Sequence, residues 1–175
     1  MRKPLDISKL NLFLEELGKA AKGPGTVYLT GGASALLFGW REMTVDVDLK
    51  FDPEPTGVFD AISYLKDSLD INIELAAPND FVPALPGWKE RCQWICTWNQ
   101  VDFHHFDFYT QALSKIERGH SKDIQDVEAM VAHELINYER LNELVGTLSP
   151  TEFARYPSVE SEELRAKIRT LANSQ

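Results

Sequence analysis

Cysteine is scarce: Cys92 and Cys96 are the two in 175 residues, so no disulfide framework can staple this fold. They lie in the run RCQWICTW, whose composition predicts a strand with both thiols on one face and too far apart along it for an easy bridge. They read as free, reduced core thiols. A zinc pair completed by His104 and His105 is the sharper alternative, but its spacing fits no ribbon or finger pattern. Long hydrophobic runs are also missing, and no uncharged stretch approaches the roughly 20 residues that span a bilayer. The opening MRKPLDISKL is basic yet leads into an amphipathic pattern, without the apolar core and cleavage site of a secretion signal, so a cytoplasmic location is expected. Positive charge is in deficit as well. A net charge of −9 argues against a sequence-independent grip on long nucleic acid, because phosphate neutralisation supplies most of that affinity. Lys115, Arg118, His120 and Lys122 form the one local basic cluster that could hold an acceptor. No internal repeat or low-complexity tract is present.

The remainder is ordinary for a globular chain, with 43% hydrophobic and 26% charged residues. Leu10, Phe13, Leu14 and Leu17 recur at helical spacing behind Asp6 as a cap, which predicts a helix over 8–22 ending at Gly23-Pro24-Gly25. TVYLT (26–30) reads as a short strand ended by Gly31-Gly32, and SALLFGW (34–40) as a brief buried helix. TVDVDLKF (44–51) alternates strictly, with Val45, Val47 and Leu49 on one face and Thr44, Asp46, Asp48 and Lys50 on the other. A helix from Val58 to Leu69 and a strand INIEL (71–75), with Asn72 and Glu74 sharing a face, come next. The stretch 79–88 reads as an ordered loop. Strands over 91–98 and 101–106 form a hairpin at Asn99-Gln100. Helices are expected over 112–118, 124–138, from the Ser149-Pro150-Glu152 capping signal, and over 158–172. The expected architecture is α/β (α+β): a small mixed sheet flanked by helices, with a core over 1–138 and a helical C-terminal extension over 139–175 packed on it as one domain.

Chemistry concentrates where a strand ends in Gly31-Gly32-Ala33-Ser34 and the next strand carries Asp46 and Asp48. Glycines let backbone approach a phosphate, and a helix start presents unbonded N–H groups with a favourable dipole end. Ser34 can add a hydroxyl donor. Carboxylates at i and i+2 on a strand project side by side, as needed to share Mg²⁺ or Mn²⁺ between a triphosphate and an attacking hydroxyl. Taken singly, a Gly-Gly turn or an alternating Asp pair is unremarkable sheet furniture; their order along the chain is what points to function.

TGGASALLFGWREMTVDVDLKF resembles the signature of the nucleotidyltransferase superfamily, a Gly-Gly turn followed by an Asp-x-Asp strand. ALSKIERGHSKDIQDVEAM resembles the later motif of its AbiE-type toxin branch, with Lys115, Lys122, Asp123 and Asp126 at the matching positions. The resemblance implies transfer of a nucleoside monophosphate from an NTP to a hydroxyl on a tRNA, a protein or a small molecule. It implies that Asp46, Asp48 and a third carboxylate, for which Glu74 is the candidate, bind the metal. Gly31, Gly32 and Ser34 would hold the phosphates, Lys115 would face the triphosphate, and Asp123 or Asp126 would hold that lysine or the acceptor. The superfamily usually has Asp where this chain has Glu74. Asp107 is a further acid within reach, Trp88 a possible nucleotide cover, and Arg41 and Glu42 read as solvating a turn. An antitoxin or a second copy of the chain are the partners implied. The rival readings are a catalytically silent nucleotide-binding or regulatory module of the same fold, and a metal-dependent phosphohydrolase using the same acids.

Overall fold

In the computed structural model, which describes residues 3–174, helix α1 (Ile7–Ala20) starts where Asp6 accepts a hydrogen bond from the Lys9 amide at 2.9 Å. Met1, Arg2 and Gln175, the outermost residues of the two segments expected, lie outside the described residues. Strand β1 (Gly25–Thr30) runs directly into helix α2 (Gly31–Phe38), followed by β2 (Asp46–Phe51), helix α3 (Val58–Ser68), β3 (Asn72–Glu74), and, after an excursion of the chain, the hairpin β4 (Gln93–Trp98) and β5 (Val101–His105). Among the described residues these strands form a five-stranded sheet of order β3-β2-β1-β5-β4. The sheet is mixed: β1 pairs antiparallel with β2 and parallel with β5, β2–β3 is parallel and β4–β5 antiparallel.

Alternation along these strands sorts the side chains. Val27, Leu29, Val47, Leu49, Ile73, Val101 and Phe103 form one buried cluster with Leu10, Phe13, Leu14 and Leu17 of α1, Leu36 of α2, and Ile62 and Leu65 of α3. Each such side chain contributes about 1.5–3 kcal/mol when withdrawn from water. Tyr28, Asp46, Asp48, Asn72, Glu74 and His104 alternate with them and belong to the opposite face. The β4–β5 turn is tied to α1, where Asn99 Nδ2 donates to the Ala21 carbonyl at 3.1 Å and a Cβ on Gly18 would overlap the Trp98 side chain. Only glycine fits at that crossing.

The chain divides into two compact units, one built from residues up to Ala77 with Gln93–Phe106, the other from Pro78–Cys92 with Asp107–Gln175. The division therefore differs from a boundary at 138/139, and residues 107–138 group with the C-terminal helices. The second unit contains a 3₁₀ turn (Pro78–Asp80), α4 (Trp88–Arg91), α5 (Phe108–Arg118), α6 (Ser121–Ala132), α7 (Tyr138–Gly146), α8 (Pro150–Phe153) and α9 (Ser161–Ala172). Its axis is α5, buried at every position from Thr110 to Ile116 and packed against α6 and α9, while α7 packs on α9. Asp107 caps α5, accepting from the Tyr109 and Thr110 amides, and receives both Arg91 Nε at 2.9 Å and Nη2 at 2.8 Å. At 1% exposure Asp107 is held inside this scaffold by the α5 cap and Arg91.

Several boundaries differ from expectation for identifiable reasons. Helix α2 begins at Gly31 rather than Ser34, because Gly31 takes φ +58, which glycine adopts readily, and turns the chain straight from β1 into the helix. The helix expected over 124–138 is two helices: Glu134 adopts φ +58 and Asn137 starts α7 by accepting from the Arg140 amide at 2.7 Å. Cys92 lies at the end of α4, outside the strand, and burial pushes its thiol up to about 12. The Ser149 capping box forms as expected but opens only the short α8. Among the described residues no helix is long and apolar enough to cross a membrane.

His105 is 6% exposed on the core face, its Nδ1 2.9 Å from Ser34 Oγ and its ring against Phe38. Burial, reinforced by the neighbouring His104, lowers its pKa to about 4. The unfolded chain binds this proton near pH 6.5 and the folded one does not, so the stabilisation is complete above about 6.5 and is lost as pH falls toward 4. Urea denaturation at pH 7 and at pH 4.5 should show a larger loss of stability in the native chain than in His105→Asn; equal losses would exclude His105 as the source.

Candidate active site

The first residue of α2 and the acidic strand meet. Thr30, the last residue of β1, lies in register with Asp48, so the chain turns into α2 directly beside that carboxylate. Gly31 takes φ +58, and a Cβ there would stand 3.2 Å from Asp48 Oδ2. Gly32 has a different reason to be glycine: a Cβ would overlap Thr44 Oγ1 and come within 2.9 Å of Thr44 Cβ. Thr44 is itself fixed, bridging to Leu5 through the backbone and donating its hydroxyl to the Asp46 carbonyl at 3.1 Å. The Arg41 guanidinium is the next neighbour of Gly32, 3.6 Å from the same added Cβ. The sequence pattern alone places it in a solvated turn.

Asp46 and Asp48 are half-buried on one face of β2 while Val47 and Leu49 between and beyond them are fully buried. On the adjacent β3, Asn72 is in register with Asp46 and Glu74 with Asp48. Asn72 Nδ2 donates to Asp46 Oδ1 at 2.7 Å and to Glu74 Oε1 at 3.1 Å. The exposed Glu74 thus shares a donor with Asp46, and their two oxygens are no further apart than those bonds laid end to end.

The structure thus sets a glycine turn at a helix start beside a strand carrying Asp46 and Asp48. The family described as nucleotidyltransferase of unknown function (DUF6036) matches residues 7–167. The chain belongs to this family. Comparison with curated proteins and with solved structures found no match.

The carboxylates available to this nucleotidyltransferase-family protein offer only oxygen donors, the chemistry that Mg²⁺ and Mn²⁺ prefer. Mg²⁺ is commonly held by one or two carboxylates together with water and substrate phosphates, and the Asp46–Asp48 pair meets that requirement. Among the described residues no group of three or more His, Cys, Asp or Glu side chains is placed to hold a metal ion, so Asp46, Asp48 and Glu74 are not drawn together as a three-carboxylate site.

Ser34 does not offer a solvent-facing hydroxyl. It is fully buried, donating to the Leu29 carbonyl at 3.3 Å and lying against His105 Nδ1. A helix residue three positions past the turn points into the core here, so a phosphate at the turn would meet backbone N–H groups instead.

Lys115, Asp123 and Asp126 belong to the second unit and form their own cluster there. Lys115 Nζ lies 2.6 Å from Asp126 Oδ2 and 3.4 Å from Asp123 Oδ1, and Arg118 reaches Asp123 at 2.7 Å. With Lys115 at 6%, Asp123 at 8% and Asp126 at 3% exposure, these are interior ion pairs and not the exposed helical pairs that such spacing also suggests. Trp88, at the start of α4, is half-buried with Lys89 Nζ 5.5 Å over its ring.

Two stability measurements test these placements. Gly32→Ala should cost about 1–3 kcal/mol in chemical denaturation, since the new methyl displaces an anchored threonine; a neutral result would mean that Thr44 yields freely. Lys115→Met should cost about 3–5 kcal/mol by taking from the buried Asp126 the cation 2.6 Å away, while Asp123 keeps Arg118. Adding Asp126→Leu to Lys115→Met should recover part of that loss, and additive damage would argue against the ion pair as its cause.

Proposed function

We propose that this chain is a metal-dependent nucleotidyltransferase that moves a nucleoside monophosphate from an NTP to a hydroxyl acceptor. The supporting observation is the closeness of Gly31 to Asp48, which sets a phosphate-accepting turn beside a pair of hard oxygen ligands. Backbone N–H groups at Gly31, Gly32 and Ala33 would receive phosphate oxygens at the positive end of α2. Asp46 and Asp48, with Glu74 alongside, would hold a divalent cation. Such a cation, when bound, offsets triphosphate charge and makes an acceptor hydroxyl more acidic. The acceptor oxygen forms a bond to the α-phosphorus as the bond to the bridging oxygen breaks; pyrophosphate leaves with that electron pair, and the hydroxyl proton passes to an aspartate of the pair.

The finer assignment, to the AbiE-type toxin-like branch, rests on the resemblance of Lys115, Lys122, Asp123 and Asp126 to that branch's motif; of its two expected roles for the acids, holding Lys115 is the one supported by the contacts of Asp123 and Asp126 with its ammonium. In this reading the acceptor is a tRNA, a protein or a small molecule, and an antitoxin restrains the activity.

Incubation with α-labelled NTPs, Mg²⁺ or Mn²⁺, and a cell extract depleted of small nucleotides tests the reading. Label should appear in a macromolecule or small acceptor, and Asp46→Asn and Asp48→Asn should each lower its appearance by about 10²-fold or more. Release of free nucleotide without transfer would indicate a phosphohydrolase. Absence of both would favour a silent nucleotide-binding module, a reading that the exposure of Glu74 and the inward turn of Ser34 favour.

A further inference from the structure

An amide nitrogen carries two hydrogens and accepts nothing, so a single asparagine can hold two carboxylates at once. Asn72 does this: one Nδ2 faces Asp46 Oδ1 at 2.7 Å on the neighbouring strand and Glu74 Oε1 at 3.1 Å two residues along its own. The strand pairing leaves it little choice. Asp46 lies opposite Asn72 and Asp48 opposite Glu74, and the register is locked by Val47 and Ile73, both buried between them. A slip by one residue would carry Asn72 to the core face.

Two consequences follow from elementary energetics. Like charges on adjacent strands repel, and a neutral donor between Asp46 and Glu74 offsets that repulsion without itself adding charge. Glu74 is exposed and has a rotamer-rich side chain, whose ordering cost would otherwise fall to the ligand. Anchoring Oε1 on Asn72 meets that cost before any ligand arrives.

We propose that Asn72 is a positioning residue which fixes Asp46 and Glu74 as partners in one divalent-cation site and thereby sets its affinity. This rests on the metal-dependent reading given above. It also gives Glu74 a place beside the Asp pair that does not depend on its length matching an aspartate.

Titration of the full-length protein with Mn²⁺, followed by electron paramagnetic resonance of the free ion, reads cation affinity without reference to catalysis. Asn72→Ala should weaken Mn²⁺ binding about 10-fold or more at unchanged stoichiometry, as loss of groups that orient metal ligands does. Glu74→Gln should weaken binding in the native background and much less in Asn72→Ala, because a positioning residue and the ligand it positions are not additive. Asn72→Asp, which replaces the donor by another carboxylate, should melt at lower temperature without Mn²⁺ and gain more from Mn²⁺ than the native protein does; it also serves if Asn72→Ala fails to fold. Native protein that binds Mn²⁺, with both Asn72 variants matching its affinity, overturns the role of Asn72 and leaves the metal-dependent reading standing. Native protein that binds no Mn²⁺, alone or with a nonhydrolysable NTP, overturns both.

Discussion

The contact between the head of α2 and the Asp48 carboxylate is the constraint on which the candidate site depends. It exists because β1 and β2 are antiparallel neighbours with Thr30 opposite Asp48, so the residue that starts the helix has an acid beside it. A left-handed φ at Gly31 then lets the chain turn without a side chain that would push the carboxylate away. Thr44 closes the other side against Gly32, and its hydroxyl is anchored to the backbone of Asp46. Backbone and carboxylates are therefore held by one short stretch of chain, the kind of rigid support that a site needs if its groups are to stay within a fraction of an ångström.

The acidic face is organised by the same alternation that builds the core. Every residue that brings Asp46, Asp48, Asn72 or Glu74 to that face sends a valine, leucine or isoleucine to the other, where the buried cluster with α1, α2 and α3 holds the strands in register. Burial on one side of the sheet thus sets the spacing of charged groups on the other. The second unit uses charge differently. There Lys115 is drawn inside by two aspartates, and Asp107 joins Arg91 to the start of α5, so ionic groups serve as internal framework.

Much of the fold was legible from periodicity. The alternation from Asp46 to Leu49 specified which face each aspartate takes, although the pattern does not extend back as expected, since β2 begins at Asp46 with Val45 exposed and Thr44 buried; the helical spacing of Leu10, Phe13, Leu14 and Leu17 matched the buried stripe of α1. Local signals failed where the decisive partner is distant in sequence. Ser34 reads as a phosphate donor until the Nδ1 of His105, far along the chain, draws its hydroxyl inward. Asn72 shares a face with Glu74 in the sequence pattern, but that it holds Asp46 depends on strand pairing that no short window contains. The break between α6 and α7 carries neither glycine nor proline; Asn137 was its available mark, a good cap residue in a pattern that otherwise continues as helix.

Each unit is assembled from two separated stretches of chain, with Pro78–Cys92 leaving the sheet before β4 and β5 return to finish it. Neither unit is therefore a contiguous fragment that could be excised by a simple truncation. During synthesis the strand β1 must wait for β5, its parallel partner, to emerge before the middle of the sheet closes, and long-range pairing of this kind is slow to form. The segment that leaves early, 78–92, must wait longer still, so the growing chain carries an unpaired edge on β1 until β5 has emerged and an unmatched segment until α5, which ends at Arg118, has followed.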